Sequence, residues 1–398
     1  MIDAAAEKII PYRQAKLLEL MKIQKKKIAI VIPKYGLVGG AESFVYELTE
    51  RLSLNEKYEF HVFANRWQSG SDRITFHNVP IIKFPRFLTA ISFAYFAGWK
   101  ISKINFDLVH THDRIFDANI FTMHGIPHRI WAHEVRRKSM SLFDCATCWV
   151  EKYLVNNTRC KIFLPVSSLT KENFLQEYKI GSEKIQIIHP GVDIARFQGF
   201  DREHCRKETR GHFGIDPSDI VILFVSMNFE IKGLDYVIAA LGKAKASYLS
   251  QNFKLLVVGK GDYKKYGALA QRAGIENNVV FAGVQKEDLE KIYLASDIFM
   301  MLSRFDTFGM TVLEAMAAFL PVIISSNVGA KDLVKDGING FVIEDTTNTD
   351  MICNMIGSML DSKTRITMAE EARNTALNNS WDSVAKRVKD IYEEMLRT

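Results

Sequence analysis

The chain has 398 residues, 47% of them hydrophobic, and carries 52 Lys and Arg against 46 Asp and Glu, a formal net charge of +6. That length accommodates two or three domains with sizeable cores, and the mild basic balance suits an anionic ligand or surface without an Arg-rich arm that would point to nucleic acid. Five sparse, irregularly spaced cysteines (Cys145, Cys148, Cys160, Cys205, Cys353) argue for a reducing compartment rather than a disulfide framework. Cys145-Ala-Thr-Cys148 has no second pair at zinc spacing and reads as two structural thiols. There is no signal-peptide h-region, and the longest uncharged apolar run, Phe87 to Trp99, falls short of the ~20 residues that span a bilayer. A cytoplasmic location is expected.

Residues 1–24 read as a helical leader, with Ile9, Ile10, Leu17, Leu18 and Met21 among charged residues. Ile28-Ala-Ile-Val-Ile32 then reads as a first buried parallel strand, followed by a loop to Gly40 and a helix over Ala41 to Leu52. Gly39 and Gly40 carry no Cβ, so the loop can bring its backbone close to a ligand. It lacks G-x-G-x-x-G, so a dinucleotide site is a poor match. Apolar segments at 59–63, 107–110, 119–122, 161–166 and 185–188 alternate with helical patterns, which predicts an α/β fold with a doubly wound parallel sheet. Ligands in such sheets collect beyond the carboxyl ends of the strands, where His110-Thr-His-Asp113 and Thr122-Met-His-Gly125 fall. Two basic, aromatic stretches, Lys83 to Lys100 and Arg129 to Lys138, fit a membrane-interface helix or a core helix with ordinary surface charge, and both readings stay open.

Ile188-His-Pro-Gly-Val-Asp193-Ile-Ala-Arg-Phe197 is a Pro-Gly turn leaving a strand, and a second strand and helix series restarts at Asp219-Ile-Val-Ile-Leu-Phe-Val225. In the loop after it, Lys232-Gly233 is placed to neutralise a phosphate as a point charge. Val279 to Val284 is a strand ending at Gly283. The segment Asp297 to Leu302, the loop Ser303 to Gly309 and the helical run Met310 to Phe319 form a strand, loop and helix. Such an arrangement turns the backbone N–H groups of Phe308 to Val312 toward one point, with Gly309, Met310 and Thr311 at its centre, and favours a bound phosphate. Asp306 lies in the loop and Glu314 about one turn inside the helix, so two carboxylates flank that seat. The last helix begins with an N-cap at Ser380 and an apolar stripe at Trp381, Val384, Val388 and Ile391.

Asp306-Thr-Phe-Gly-Met-Thr-Val-Leu-Glu314 resembles the acidic-x7-Glu signature of retaining glycosyltransferases of family 4. That resemblance spans about Ile28 to Leu396 and implies a GT-B fold, two Rossmann-like domains facing across a cleft with the C-terminal helix crossing back to the first. It implies an acceptor-binding domain at 25–195, a nucleotide-sugar-binding domain at 196–379 and a returning helix at 380–398, with 1–24 as an N-terminal extension. The family's signature usually opens with Glu, so Asp306 shortens that arm by one methylene. By resemblance Glu314 binds the ribose, Asp306 the hydroxyls of the transferred sugar, Lys232 the diphosphate, and the backbone at Gly283 the nucleobase. Gly39 and Gly40 approach donor and acceptor, and His124 contacts the donor sugar. Asp113 and Asp117 are acidic candidates for hydrogen-bonding the acceptor hydroxyl.

The chain departs from the family's Gly-Arg-x4-Lys-Gly loop: Met227 stands where its Arg would be, and a similar Arg-free version, with a Phe between, occurs in the bacterial lipopolysaccharide core glucosyltransferases, the subgroup that the chain resembles. No Asp-x-Asp occurs, which implies metal-independent transfer with no cofactor besides the donor. The expected activity is retaining transfer of a hexose, glucose favoured, from UDP-glucose to a lipopolysaccharide core or related glycolipid, with no nucleic-acid partner and contact with the inner face of the cytoplasmic membrane. The alternatives are a GT-B nucleotide-sugar 2-epimerase and an inactive nucleotide-sugar-binding subunit.

Overall fold

The computed structural model describes residues 25–397 except 38, 69–70, 249–251 and 286. The leader expected at 1–24 lies outside the described residues. Strands β1 (Lys26–Val31), β2 (Lys34–Tyr35), β3 (Tyr58–Ala64), β4 (Arg66–Trp67), β5 (Ile74–Asn78), β6 (Leu108–Thr111), β7 (Ile120–Met123) and β8 (Ile162–Pro165) belong to the first lobe. Strands β9 (Ile220–Ser226), β10 (Phe253–Gly259), β11 (Val279–Gly283), β12 (Ile298–Met301), β13 (Val322–Ser325) and β14 (Gly340–Ile343) form the second. The longer helices are α1 (Gly40–Leu52), α2 (Leu88–Ile101), α3 (Leu142–Asn156), α4 (Ser168–Glu177), α5 (Arg202–His212), α6 (Leu234–Ser247), α7 (Tyr263–Arg272), α8 (Leu289–Ala295), α9 (Met310–Ala317), α10 (Thr349–Leu360), α11 (Ser362–Asn378) and α12 (Trp381–Met395).

The two main sheets are wholly parallel, with orders β5-β3-β1-β6-β7-β8 and β11-β10-β9-β12-β13-β14. Each is therefore the doubly wound order 3-2-1-4-5-6 with helices on both faces. The sequence explains the burial: all seven residues of β9 are inside, as a strand covered on both faces requires. In such a sheet the connections diverge between the first and fourth strands, and the crevice opens beyond their carboxyl ends. In the first lobe that point lies past β1 and β6, and in the second past β9 and β12.

The segment Ile185 to Ile188, expected as a strand, forms only a bridge of Ile185 to Phe163, with the N–H groups of Gln186 and Ile188 donating to Phe163 and Pro165. Pro190 and Gly191 follow at once and turn the chain toward the second lobe, which ends the ladder. A second crossing lies beside the first. The Val192 N–H donates to Asn379 (3.0 Å) and the Trp381 N–H to Val192 (3.3 Å).

From there α12 lays Trp381, Val384, Val388, Ile391 and Tyr392 into the core of β1, β3 and α1. The Tyr392 hydroxyl lies 2.6 Å from His110 Nδ1, whose Nε2 lies 2.7 Å from Thr122 Oγ1, so a buried polar chain fixes the returning helix against the first sheet. Met310, at the head of α9, packs against the cores of both lobes. Truncating Ile391 to Ala is expected to cost about 2–5 kcal/mol of stability in urea unfolding, against under about 0.5 kcal/mol for Glu394→Ala outside that core.

Candidate active site

The second-lobe half of the site is built where the fold opens. The loop after β9 and the loop after β12 are stitched together: Ser303 Oγ donates to the Ile231 carbonyl (2.9 Å) and so does the Arg304 N–H (2.8 Å). Gly233 has φ +73°, and a Cβ there would lie 1.9 Å from the Leu302 carbonyl oxygen, so only glycine lets the loops meet. The ammonium of Lys232 consequently reaches Asp306 and forms an ion pair with Oδ2, both side chains being mostly buried. Asp306 Oδ1 accepts the N–H of Phe308 (3.2 Å), and the Val312 N–H donates to Gly309. The expected row of donors from Phe308 to Val312 thus narrows to Gly309, Met310 and Thr311 at the open end of the helix. Gly309 caps α9 with φ +89°, in a space where a Cβ would press on Val328.

One turn on, both oxygens of Glu314 are engaged. Arg196, from the link between the lobes, reaches Oε1 (3.2 Å), and the Tyr293 hydroxyl donates to Oε2 (3.0 Å). Burial raises the Glu314 pKa above the ordinary glutamate value, opposed by the Arg196 charge. Arg196 also pairs with Glu290. The sequence reading assigned no role to Arg196, Glu290 or Tyr293. Arg196 lies in the quoted turn from Ile188 to Phe197 and carried a readable signal as a cation at a domain link, whereas α8 meets α9 only through the fold.

The interlobe cleft has a volume of about 560 Å³. Gly39, Gly40 and Glu47 line its first-lobe wall, Met310 and Glu314 its second-lobe wall, with Asp193 and Arg196 between them. Lys232, Asp306 and Gly309 are not among the residues lining it, although Gly309 directly precedes Met310. Gly283, at the end of β11, lies at the far edge of the second sheet, outside that lining.

His124 follows β7. Its Nε2 is 3.0 Å from His112 Nδ1, and its ring packs edge-on against Phe44, which in turn meets Trp381. Burial pulls the His124 pKa down to about 3, so the ring is neutral at pH 7. Asp113 lies past the carboxyl end of β6, and burial raises its pKa, the Arg114 charge partly opposing. Asp117 does not join this group. It precedes β7, at the amino end of the sheet, where it pairs with Arg159 and accepts from Asn157; proximity in sequence misled because β6 and β7 are parallel, so between Asp113 and Ile120 the chain returns from one end of the sheet to the other. In the Arg129 to Lys138 stretch two of the four cations are paired, Arg129 with Glu177 and Arg136 with Asp144.

A further contact joins the lobes. Ser167 Oγ donates to the Thr307 carbonyl in the Asp306 loop (2.7 Å). Asp332 of the second lobe accepts the Ser168 N–H at the head of α4 (2.6 Å) and the Ser168 hydroxyl, and lies 2.9 Å from His189 Nε2. None of these was foreseen, since each joins positions over a hundred residues apart. Among the described residues no three His, Cys, Asp or Glu side chains are grouped to hold a metal ion.

Two facing Rossmann-like lobes with glycine-bearing loop-to-helix turns on both walls of the cleft define the class as a GT-B glycosyltransferase. Residues 38–196 match the family described as Glycosyltransferase Family 4, and residues 206–375 the one described as Glycosyl transferases group 1. The chain belongs to the family 4 glycosyltransferases. An uncharacterized glycosyltransferase of Methanocaldococcus jannaschii is 27% identical over 390 residues, 92% of this chain and 98% of that one. The lipopolysaccharide glucosyltransferase WaaG of Escherichia coli K12 is 29% identical over 221 residues, 55% of this chain and 58% of that one. A crystal structure of WaaG superposes with a TM-score of 0.73 at 21% identity, covering 92% and 99%. That of Anabaena HepE with UDP-glucose gives 0.67 at 18%, covering 92% and 99%.

Burial pushes the Asp332 pKa up, but the bonds from His189 and Ser168 outweigh it and leave the carboxyl below the ordinary aspartate value. A depressed folded pKa means stability that is present above the unfolded value and lost as pH falls through the folded one. The wild type is therefore expected to lose part of its lobe contact below about pH 4. Asp332→Asn should lose about 1.5–3 kcal/mol at pH 7 and show a flatter acid limb in urea unfolding followed against pH.

Proposed function

We propose that the protein transfers a hexose, glucose favoured, from UDP-glucose with retention and without a metal, to a hydroxyl of a lipopolysaccharide core or related glycolipid. The observation that carries the reading is the convergence of the Lys232 ammonium and the head of α9 at Asp306. In this reading the donor diphosphate lies against the N–H groups of Met310 and Thr311 and takes Lys232 as its counter-ion. Asp306, released from the lysine, turns to the sugar hydroxyls. Glu314, held by Arg196 and Tyr293, accepts from the ribose, and the base rests at Gly283.

The chemistry follows from that arrangement. The bond from the sugar's anomeric carbon to the β-phosphate oxygen breaks, and negative charge grows on the diphosphate where Lys232 and the helix head stabilise it. The acceptor oxygen bonds to the anomeric carbon on the face that the diphosphate leaves, and its proton passes to the departing phosphate oxygen. Asp113, past the carboxyl end of β6, is the acid we assign to orient the acceptor hydroxyl, in place of Asp117. The His124 ring is taken up by His112 and Phe44, so its contribution is assigned to the backbone carbonyl.

UDP-glucose as donor is supported by the complex of HepE, and the glycolipid acceptor by the similarity to WaaG. Contact with a membrane surface is supported by α2 and the turn before it. Phe84 is 88% exposed, Tyr95 58% and Trp99 47%, with Lys103 3.4 Å over the Trp99 ring and Lys83, Arg86 and Lys100 nearby. Aromatic side chains ringed by cations suit the headgroup layer of an anionic bilayer. Among the described residues no helix is long and apolar enough to cross one.

Lys232→Ala is expected to lower kcat by roughly thirtyfold, about 2 kcal/mol, in a radiolabelled transfer assay with UDP-glucose; transfer within threefold of wild type contradicts the phosphate assignment. Replacing Phe84 and Trp99 with Ala together should cut co-sedimentation with vesicles containing phosphatidylglycerol at least fivefold, and unchanged sedimentation removes this face from the account.

A further inference from the structure

Away from the cleft, the second lobe holds a cavity of about 440 Å³ between α5, α11 and the tail of α9. Arg202 and Arg206 from α5 and Arg365 from α11 line it, with the ring of Phe319 on one side. Arg373 stands 5.1 Å and Arg202 5.7 Å from the centre of that ring, so two guanidinium groups flank one aromatic side chain. Phe319 adopts a left-handed φ of +60° just after α9, a conformation that non-glycine residues seldom take.

The charges around this cavity are unevenly matched. Asp297 takes both Arg206 and Arg210. Among the described residues Arg202, Arg365 and Arg373 have no carboxylate within ion-pair distance: Asp297 and Glu203 act on Arg202 and Asp361 on Arg365 only at longer range, and besides the Phe319 ring on Arg202 and Arg373 each bonds to backbone carbonyls. Arg202 reaches Leu294 at 3.4 Å, Arg365 reaches Met359 at 2.7 Å and Leu360 at 3.1 Å, and Arg373 reaches Ala317. The other acids on the lining, Glu203 and Glu370, are exposed at the rim and form no ion pair. Burial first, and then the Arg206 charge, hold the Arg202 pKa below its ordinary value. Partly buried guanidinium groups with no directly paired carboxylate, as at Arg202 and Arg365, around a cavity of this size are arranged to take an anion; their planar forks match phosphate oxygens.

The position of the cavity gives such an anion something to do. Helix α5 starts directly after the first crossing between the lobes, and α11 ends at the second, where Asn379 and Trp381 bond to Val192. Phe319 closes the tail of the helix whose head forms the proposed donor seat. We propose that this cavity is a regulatory site for a small phosphate-bearing anion, bridged between Arg202 of α5 and Arg365 of α11. By tying together the helices that carry both crossings, the anion shifts how readily the lobes close on the donor. Linkage then makes the effect mutual: the donor changes anion affinity by the factor that the anion changes donor affinity.

Calorimetric titration of the full chain with inorganic phosphate tests the binding, which does not depend on the donor assignment. The expected result is saturable binding that weakens at least tenfold in Arg365→Gln, recovers in part in Arg365→Lys, and tightens two- to fourfold in Glu370→Gln, a change at the exposed rim that leaves the fold alone. Lys232→Ala should bind phosphate as the wild type does. Absence of binding to the wild type, or binding lost in Lys232→Ala and kept in Arg365→Gln, overturns the site. Saturating phosphate should also shift the KM for UDP-glucose at least threefold in the wild type and not in Arg365→Gln. An unchanged KM beside intact binding overturns the regulatory role while leaving the donor assignment untouched.

Discussion

A carboxylate that is mostly buried at the head of a helix needs a counter-charge, and the loop after β9 supplies one to Asp306 as Lys232. That requirement fixes much else. The two loops past the first and fourth strands of the second sheet must touch, which forces glycine at 233 against the Leu302 carbonyl. It also holds the Lys232 ammonium beside the α9 head as part of a fixed ion pair rather than as a mobile side chain. In this structure the aspartate neutralises the lysine; under the proposed reading the donor diphosphate competes for it.

The lobes are coupled through the same region. Glu314 belongs to α9 but is gripped by Arg196 from the interlobe link, and the Asp306 loop is held by Ser167 of the first lobe through Thr307. Met310 packs into both cores. Motion of one lobe against the other therefore acts on the groups proposed to bind ribose and diphosphate. A hinge wired in this way lets a closed cleft, which excludes water, coincide with a completed site.

The alternation of apolar strands with helical stripes made the two doubly wound sheets readable, because continuous burial leaves an unmistakable pattern in β1 and β9. The Asp306 to Glu314 spacing and Lys232-Gly233 were also legible, since loop-to-helix turns past strand ends are local. What escaped was set by distance in sequence. Arg196 with Glu314, Ser168 with Asp332 and His110 with Tyr392 exist only once the lobes have folded and met. Asp117 was misjudged for the same reason: four residues from Asp113 in the chain, it lies at the opposite end of the sheet. Ile185 to Ile188 had the composition of a strand but not the room, with Pro190 and Gly191 turning the chain away.

The most direct measurement is a crystal structure of the full chain soaked with UDP-glucose. The account predicts the diphosphate at the head of α9, with phosphate oxygens at about 3 Å from Lys232 Nζ and from the Met310 or Thr311 N–H, the ribose on Glu314, and the Lys232 to Asp306 pair opened. A donor bound elsewhere in the cleft with that pair intact contradicts it.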